Sequence, residues 1–341
     1  MTRSGKQILR SRPSRLLRLR LILSALAALA LALGAVACGS DDEEKSGGGG
    51  GGGSSSGKLI KSDPANAKTS ITVGSKNFDE QYILGEIYAQ ALEAAGFKVE
   101  KKLNLGSEQI AYKALQSGQV DAYPEYTGTS LTSFFDVKTA DVPKDPDAAY
   151  ELTKKEYAAK DITALPRTSF ENTYRIATTK EKQSSLLKGS KTVSEVAKLP
   201  NASELSIAGF PECRQRTDCL LGLNQLYGWK PKFVADEGKY DPIDKDRAGL
   251  GLVFSTDGEL TLGKYAVIED DKGLFPPYNI SFGIRNDTLE KMGDAGQQVI
   301  IDVQKPLTEK AMQELNSRVS LDKQEPEAVA KAYLQESGFI E

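Results

Sequence analysis

The chain has 341 residues, with 44 Lys and Arg against 47 Asp and Glu, so its formal net charge is −3; it contains three cysteines and no histidine. The charge becomes −10 if the N-terminal segment described next is removed, and a charge of −10 argues against a nucleic-acid partner and against a polybasic membrane surface. The lack of histidine and of a nucleophile motif argues against an enzyme, and we expect neither a metal ion nor a cofactor.

The first 37 residues have the features of a secretory signal. Seven Lys and Arg residues and no acidic residue precede an apolar run from Leu21 to Val36. The alternative is a membrane-spanning helix, but the run is shorter than the roughly 20 residues that such a helix needs. We therefore expect residues 1–37 to be removed, which lowers the net charge from −3 to −10, because seven positive charges and no negative ones are lost.

The next residues indicate a lipid anchor followed by a tether. Ala35-Val-Ala-Cys38 resembles the bacterial lipobox, in which the cysteine is acylated and becomes the mature N-terminus. Residues 39–57 are acidic and then almost entirely Gly and Ser, a composition that cannot bury enough apolar area to offset the entropy of ordering. We expect a lipidated Cys38 and a disordered linker over residues 38–70. The alternative is a secreted protein with an unmodified cysteine.

Strands and helices alternate along the first half of the remaining chain, which is typical of an α/β fold with mostly parallel sheets. We predict strands at Ile71–Gly74, Phe97–Leu105, Val120–Tyr123 and Arg175–Thr178, and helices at Phe78–Ala95, Ser107–Leu115 and Ala148–Ala159. The first helix carries Ile83, Ile87 and Ala91 on one face, and Gly96 ends it.

The pattern begins again in the second half. We predict strands at Leu205–Phe210, Tyr265–Glu269 and Ile280–Ile284, and helices at Thr217–Tyr227, Gln297–Gln304, Thr308–Ser317 and Pro326–Ser337. Residues 71–341 are too many for one ordinary core, so we expect two lobes. Gly249-Leu-Gly251 lacks the third glycine of a dinucleotide-binding fingerprint, so no nucleotide site is predicted.

The second and third cysteines form a close pair. Cys213 and Cys219 are six residues apart, and in an oxidising compartment such a pair indicates a disulfide. Two free buried thiols are the alternative. A metal site is disfavoured because the chain offers no histidine and no third thiol nearby.

Four segments combine aromatic residues, polar groups and turn residues: residues 73–81, 120–129, 170–174 and 270–278. Lys76 lies in the first of them, at a turn from a strand to a helix. Because ligands of open α/β sheets bind beyond the carboxyl ends of strands, Lys76 is placed where a ligand would be. The alternatives are that Lys76 is a solvated surface residue and that turn tyrosines such as Tyr126 pack on the surface.

These segments closely resemble the quaternary-amine substrate-binding proteins of ABC importers, which serve the uptake of glycine betaine, carnitine and choline. The motifs that carry the resemblance are Gly74-Ser-Lys-Asn-Phe78, Leu105-Gly-Ser107, Ala114-Leu-Gln-Ser-Gly118, Tyr123-Pro-Glu-Tyr-Thr-Gly-Thr129, Asn172-Thr-Tyr174, Ser255-Thr-Asp-Gly258, Glu269-Asp-Asp-Lys272 and Phe275-Pro-Pro-Tyr278. They occur in the family's order and cover nearly all of residues 71–341.

The resemblance implies an α/β fold of the two-lobed, periplasmic-binding-protein-like type, a clamp with two hinge crossovers. Lobe I would comprise residues 71–174 and 283–341, and lobe II residues 175–282. The protein would be an extracytoplasmic solute-binding lipoprotein that acts in osmoprotection at the outer face of the cell membrane. Its partners would be a small quaternary-ammonium ligand and the ABC permease subunits in the membrane, and we expect a monomer.

The resemblance also assigns the binding residues. The family's aromatic cage corresponds to Tyr126, Tyr174, Phe254 and Tyr278. A polar group near the ligand's cation corresponds to Asn172, and contacts with the ligand's carboxylate correspond to Lys76, Thr129 and Arg216. Glu212 corresponds to a position that helps to close the lobes.

Two features depart from the family pattern. Phe254 stands where tyrosine is common, which keeps the π face of the ring but loses a hydroxyl. Cys213 and Cys219 flank Arg216, where no disulfide is expected from the family. A disulfide there would rigidify the loop that carries Arg216.

An aromatic cage suits a quaternary ammonium because this cation has no N–H to donate. Four rings at about 0.5–2 kcal/mol each supply about 2–8 kcal/mol, whereas micromolar binding needs about 8 kcal/mol. A bidentate contact between Arg216 and a carboxylate would supply the difference, which favours a zwitterion over choline. The alternative for Arg216 is an internal salt bridge with Glu212 or Asp218.

Three other functions are weighed against this one. An enzyme is disfavoured because the adjacent carboxylates Asp79–Glu80 and Asp270–Asp271 are expected to be solvated and seldom face one another. A binding protein for another small zwitterion, such as an amino acid, is the second alternative, whereas a polyamine is disfavoured by a cage without acidic side chains. The third is a surface lipoprotein that binds no ligand.

Overall fold

The computed structural model describes residues 58–236 and 238–341, without the side chain of Glu212. The strands are β1 (Ser70–Gly74), β2 (Lys98–Lys102), β3 (Ala122–Tyr126), β4 (Ile162–Ala164), β5 (Tyr174–Thr179), β6 (Ser206–Gly209), β7 (Lys232–Ala235), β8 (Leu250–Phe254), β9 (Tyr265–Ile268) and β10 (Ile280–Arg285). The expected signal of residues 1–37, the lipidation site Cys38 and the Gly/Ser-rich segment up to residue 57 lie outside the described residues.

Helices surround these strands. The α-helices are α1 (Asp79–Ala94), α2 (Glu108–Gln116), α3 (Thr127–Phe134), α4 (Pro146–Ala158), α5 (Lys180–Ser185), α6 (Val193–Ala197), α7 (Leu220–Tyr227), α8 (Asp241–Asp244), α9 (Asn286–Gln304), α10 (Glu309–Ser320) and α11 (Pro326–Glu336). Short 3₁₀ helices cover Pro64–Lys68, Thr139–Asp141, Ala202–Glu204, Pro211–Gln215 and Gly258–Leu262. In the part of the chain that the structure describes, no helix is both long and apolar enough to cross a membrane.

The strands form two five-stranded sheets, in the orders β2-β1-β3-β10-β4 and β7-β6-β8-β5-β9. The arrangement of strand directions is the same in both, but the antiparallel strand comes last along the chain in the first sheet (β10) and first in the second (β5). β1 is parallel to β2 and β3, and β6 is parallel to β7 and β8. By contrast, β10 is antiparallel to β3 and β4, and β5 is antiparallel to β8 and β9. We call each sheet with its helices a lobe, the first lobe containing β1 and the second containing β6.

The prediction of mostly parallel sheets is wrong, because the strands that follow the two crossings run against their neighbours. β5 enters the second sheet where β8 ends, so that Tyr174 pairs with Phe254. In the same way β10 enters the first sheet where β3 ends, so that Ile280 pairs with Tyr126. After each crossing, the chain therefore enters a sheet at the sheet's end that faces the other lobe.

The two crossings run side by side between the sheets. Glu171 and Asn279 form an antiparallel bridge, and the backbone N–H of Asn172 donates to the carbonyl of Tyr278 at 3.0 Å. Strand assignment differs slightly from the expected lobe boundaries, since Tyr174 begins a strand of the second sheet and residues 280–282 belong to the first.

The chain before β1 is ordered earlier than expected. The backbone N–H of Ile60 donates to the carbonyl of Phe339, and that of Asp63 donates to the carbonyl of Ala95. Asp63 also caps the 3₁₀ helix Pro64–Lys68 by accepting from the N–H of Ala65 at 2.8 Å. The expected end of the disordered linker at residue 70 is therefore too late.

Several elements were not predicted: the strands β4, β7 and β8 and the short helices α5, α6 and α8. In β8, Gly251 interrupts the apolar pattern; a Cβ atom on Gly251 would lie 2.7 Å from the carbonyl oxygen of Lys239, so close packing requires glycine there. Helix α9 begins at Asn286, eleven residues before the predicted start at Gln297, and bends at Gly293 with φ 67°.

Each lobe has its own hydrophobic core. The core of the first lobe joins β1, β3 and β10 to α1 and the C-terminal helices, and the core of the second joins β5, β6 and β8 to α7. Tyr126 and Tyr278 belong to the edge of the first core, whereas Tyr174 packs against the second. The aromatic residues of the expected cage thus lie where the two cores approach each other.

Candidate functional site

A cavity of about 650 Å³ lies between the lobes. All eight residues that the sequence assigned to ligand binding line it: Lys76, Tyr126, Thr129, Asn172, Tyr174, Arg216, Phe254 and Tyr278. Strand ends bring several of them together, since Tyr126 and Phe254 are the last residues of β3 and β8, and Tyr174 is the first of β5. This is the end of an open α/β sheet at which ligands bind.

Three of the four expected cage rings form one cluster. The ring centroids of Tyr174 and Phe254 are 4.9 Å apart with an angle of 30° between the ring planes. Tyr278 stands at 88° to Tyr174, with centroids 6.5 Å apart. Tyr126 lines the same cavity but pairs with Phe78, at 6.2 Å. Phe78 was not assigned to the site, although it is the last residue of the family motif Gly74-Ser-Lys-Asn-Phe78.

Gly128 is required by the approach of Tyr278. A Cβ atom on Gly128 would lie 2.8 Å from a ring carbon of Tyr278 and 2.8 Å from the carbonyl oxygen of Pro277. Real side chains do not tolerate such contacts with backbone, so the glycine lets α3 pack against the crossing that carries Tyr278. This explains the glycine of the Thr-Gly-Thr sequence at the start of α3.

Lys76 is buried, with 5% of its surface exposed, and forms an ion pair with Glu125. Its Nζ atom lies 4.4 Å from the ring centroid of Tyr126 and 5.7 Å from that of Phe78. Burial raises the pKa of Glu125, and the ammonium of Lys76 opposes that rise. The possibility that Lys76 is a solvated surface residue is therefore excluded.

Arg216 donates to Asp218 through Nε, at 2.8 Å, and through Nη2. This is one of the two internal salt bridges considered as an alternative, yet Arg216 also lines the cavity, 5.7 Å from the ring centroid of Tyr174. Asp218 also accepts from the hydroxyl of Tyr278 at 3.2 Å. A disulfide joins Cys213 to Cys219, with Cα atoms 5.3 Å apart, and so closes the loop that carries Arg216 and Asp218.

A third cation of the cavity, Lys239, was missed. It forms an ion pair with Asp257, and its Nζ lies 5.1 Å from the ring centroid of Phe254. Asp257 accepts from the backbone N–H of Phe254 at 2.8 Å and from the hydroxyl of Tyr240 at 3.1 Å. This network fixes the end of β8 and thus the position of the Phe254 ring.

Glu80 is a buried carboxylate at the cavity, with 3% of its surface exposed. It accepts from the hydroxyl of Tyr126 at 2.8 Å and from the amides of Asn172 and Asn316 at 2.9 Å each. It also accepts from the hydroxyl of Thr256, in the second lobe. The expectation that Glu80 is solvated is wrong, because α1 directs it toward these four donors.

The cavity therefore contains acidic side chains, contrary to the argument used against a polyamine ligand. Lys76, Arg216 and Lys239 are each paired with a carboxylate. Among the described residues, Glu80 has hydrogen-bond donors but no cationic partner within ion-pair distance. Burial and the charge of Glu80 raise the pKa of Tyr126, so its phenol stays protonated and donates to Glu80.

Glu212 lies in the 3₁₀ helix Pro211–Gln215, and its expected role in closing the lobes stays a prediction. Asn316 and Thr256 were missed as site residues. Thr256 lies in the family motif Ser255-Thr-Asp-Gly258, so that motif could have indicated it. Asn316 lies in the polar helix α10, where no sequence motif distinguishes it. Within the described ranges, no group of three or more His, Cys, Asp or Glu residues is arranged to hold a metal ion.

Residues 69–336 match the OpuAC family, the substrate-binding domain of ABC-type glycine betaine transport systems. The chain belongs to this family. It is 32% identical over 298 residues to a glycine-betaine-binding protein of Pseudomonas aeruginosa, a match that covers 83% of this chain and 92% of that protein.

This OpuAC-family chain is also similar to a second protein sequence and to a solved structure. It is 27% identical over 283 residues to the ergothioneine transport permease/ergothioneine binding protein EgtU of Helicobacter pylori, covering 81% of this chain and 49%, about half, of EgtU. A crystal structure of a glycine betaine/carnitine/choline ABC transporter protein has a TM-score of 0.70 and 26% identity, covering 78% of this chain and 97% of that one.

The family resemblance and the two-lobed α/β fold expected from the sequence are thus confirmed. The chain is an extracytoplasmic substrate-binding protein of the glycine betaine and carnitine type of ABC transporter. It is not an enzyme, because its relatives bind substrates for transport.

Proposed function

We propose that this protein captures a quaternary-ammonium osmolyte, such as glycine betaine, carnitine or choline, and delivers it to ABC permease subunits in the membrane. The ammonium lies in an aromatic cage of Tyr126, Tyr174, Phe254 and Tyr278. The observation that carries the proposal is that all four side chains line one cavity between the lobes. The perpendicular rings of Tyr174 and Tyr278 are suited to form two sides of such a cage.

Polar residues complete the site. We assign Asn172 to the neighbourhood of the ammonium, and Lys76, Thr129 and Arg216 to the carboxylate of a zwitterionic ligand. Arg216 uses Nε and Nη2 on Asp218, and no partner of its Nη1 is seen among the described residues, so Nη1 is the atom assigned to the ligand. Lys76 has three donor hydrogens, and one pair with Glu125 leaves others for the ligand.

The N-terminal segment and the lobes have proposed roles as well. Residues 1–37 direct secretion and are removed, Cys38 is lipidated, and the Gly/Ser-rich segment tethers a monomer to the outer face of the cell membrane. Glu212 helps to close the lobes on the ligand. The composition of residues 1–57 supports the first of these roles.

Isothermal titration calorimetry with glycine betaine, carnitine, choline and free amino acids tests the proposal. We expect binding of at least one methylated ammonium compound and no binding of amino acids. Tyr174→Ala should weaken that binding at least about tenfold, because it removes one cation–π face. Tyr82→Ala, which removes a half-buried tyrosine that does not line the cavity, is the control. Unchanged affinity in Tyr174→Ala would refute the cage.

A second candidate is a larger betaine, such as the ergothioneine named for the Helicobacter pylori relative. The volume of about 650 Å³ favours it, since this lies within the range of about 300–1,000 Å³ found for drug-sized ligands, which are larger than glycine betaine. The same calorimetry distinguishes the two candidates. Ergothioneine binding at least about tenfold tighter than glycine betaine would select the second, an affinity ratio that corresponds to about 1.4 kcal/mol.

A further inference from the structure

Lys239 lines the cavity, and the proposed function gives it no role. Its Nζ atom forms an ion pair with Oδ1 of Asp257 and has no second hydrogen-bond partner among the described residues. A lysine ammonium has three donor hydrogens, so two of them are available to other groups. Lys76 and Arg216, which are assigned to the ligand's carboxylate, are likewise each paired with one carboxylate of the protein. Lys239 is therefore available to a ligand in the same way.

In the pair of Lys239 and Asp257, the ammonium is the more accessible partner. The side chain of Lys239 is 30% exposed, whereas that of Asp257 is 8% exposed. The second oxygen of Asp257, Oδ2, accepts from the backbone N–H of Phe254 at 2.8 Å and from the hydroxyl of Tyr240 at 3.1 Å. A ligand in the cavity thus meets a positive charge at this point, because the carboxylate that balances it is buried and bonded within the protein.

The backbone of Lys239 is held against the second sheet. It lies in the connection from β7 to α8, and its carbonyl oxygen approaches β8 so closely that a Cβ atom on Gly251 would lie 2.7 Å away. The next residue, Tyr240, is buried, and its ring packs against that of Tyr265 with centroids 4.6 Å apart. The Nζ atom of Lys239 lies 5.1 Å from the ring centroid of Phe254. Tertiary packing therefore positions this ammonium beside a ring of the cage.

We infer that Lys239 is a further ligand-binding residue, which favours a zwitterion over a ligand that carries only the ammonium charge. This rests on the proposed function, in which the cage that includes Phe254 holds the methylated ammonium. Lys239 repels that ammonium to the same extent in two ligands of one shape, so the repulsion cancels when the two are compared. It attracts a carboxylate, which only the zwitterion has. The favoured ligand is therefore a betaine rather than a simple cation such as choline.

Glycine betaine and its amide test this inference, because they share one shape and one ammonium and only glycine betaine carries a negative charge. Isothermal titration calorimetry on the purified full-length protein should give at least about tenfold tighter binding of glycine betaine. Lys239→Met nearly keeps the length of the side chain and removes its charge. In this variant the ratio of the two affinities should fall at least about fivefold, because a charge-assisted contact with the carboxylate is lost.

Lys264→Met is a matched control. Lys264 pairs with Asp244 at 2.8 Å, and its Nζ atom lies 4.8 Å from the ring centroid of Tyr265. Asp244 also accepts from the hydroxyl of Tyr265, as Asp257 does from a tyrosine, but Lys264 does not line the cavity. The ratio of affinities should persist in this control. It should also persist in Lys239→Arg, which keeps the positive charge.

The inference and the proposed function fail in different ways. Binding of neither ligand by the unchanged protein would overturn the proposed function. Binding of both, with a ratio that stays the same in Lys239→Met, would refute the inference alone. Equal losses for the two ligands would restrict Lys239 to holding Asp257 and Phe254, and would refute it as well. Lys239→Gln provides the same measurement if Lys239→Met does not fold.

Discussion

The aromatic and polar walls of the cavity are built in different ways. The aromatic wall consists of rings at strand ends and crossings, such as Tyr174 and Phe254, whose positions follow from the register of neighbouring strands. The polar wall consists of Glu80, in α1, and the four residues that donate to it: Tyr126, Asn172, Thr256 and Asn316. Of these, Asn316 lies 236 residues further along the chain. The comparison teaches that a wall made from strand ends follows from local motifs, whereas a wall made from buried hydrogen bonds depends on how distant helices pack.

The polar wall is expected to be the more sensitive to a single change. Glu80→Ala leaves four buried donors without an acceptor, and at about 1–3 kcal/mol each it should lower the free energy of unfolding by about 4 kcal/mol or more. Urea denaturation followed by circular dichroism measures this. Asp79→Ala, at the exposed neighbouring position, is the control and should cost less than about 1 kcal/mol. Similar losses in the two variants would show that the four bonds are not a stabilising hub.

The disulfide loop contacts the aromatic wall through Asp218, which accepts a hydrogen bond from Tyr278. Replacing both Cys213 and Cys219 with serine should lower the free energy of unfolding by about 2 kcal/mol, because the bridge closes a short loop in the unfolded chain. The loop also carries Asp218, which holds Tyr278 and Arg216, so we expect weaker ligand binding as well. Thermal denaturation and calorimetry report the two effects separately. Unchanged affinity would show that the loop keeps its conformation without the bridge.

Tyr126 belongs to both walls, since its ring lines the cavity while its hydroxyl donates to Glu80. Tyr126→Ala should weaken glycine betaine binding at least about tenfold, because a cation–π face and apolar contact are lost. Tyr126→Phe keeps the ring and removes only the hydrogen bond, so its affinity should stay closer to that of the unchanged protein. Calorimetry on both variants separates the functions of ring and hydroxyl. Equal losses would assign the effect to the hydroxyl rather than to the cage.

Substitution of Arg216 tests whether this residue binds the carboxylate of the ligand in addition to the carboxylate of Asp218. Arg216→Ala should weaken glycine betaine at least about fivefold more than choline, because a lost contact of about 1 kcal/mol affects only the ligand with a carboxylate. Measuring both ligands on the same variant cancels the cost of leaving Asp218 without its partner. Equal losses for glycine betaine and choline would restrict Arg216 to holding Asp218 and Tyr278.

Part of the strand-and-helix order of the fold could be predicted from the sequence, without β4, β7, β8, α5, α6 and α8, and the strand directions could not be predicted. Ile71–Gly74, Ile280–Ile284 and the C-terminal helices have patterns that match their observed positions. Periodicity contains no information on direction, so the antiparallel entry of β5 and β10 was missed. β8 was missed because Gly251 is required by tertiary packing and weakens the local strand signal.

The sequence by itself determined the family and the composition of the aromatic wall, because short motifs at strand ends specify which residues face a cleft. Only the tertiary structure decided the partners of the charged residues. In the structure, Arg216 pairs with Asp218, and Lys76 is buried against Glu125. Glu80, which was expected at the surface, is buried at the centre of the polar wall. The physical reason is that hydrogen-bond partners depend on distances between atoms far apart in the chain, and these are set only when the helices and sheets have packed.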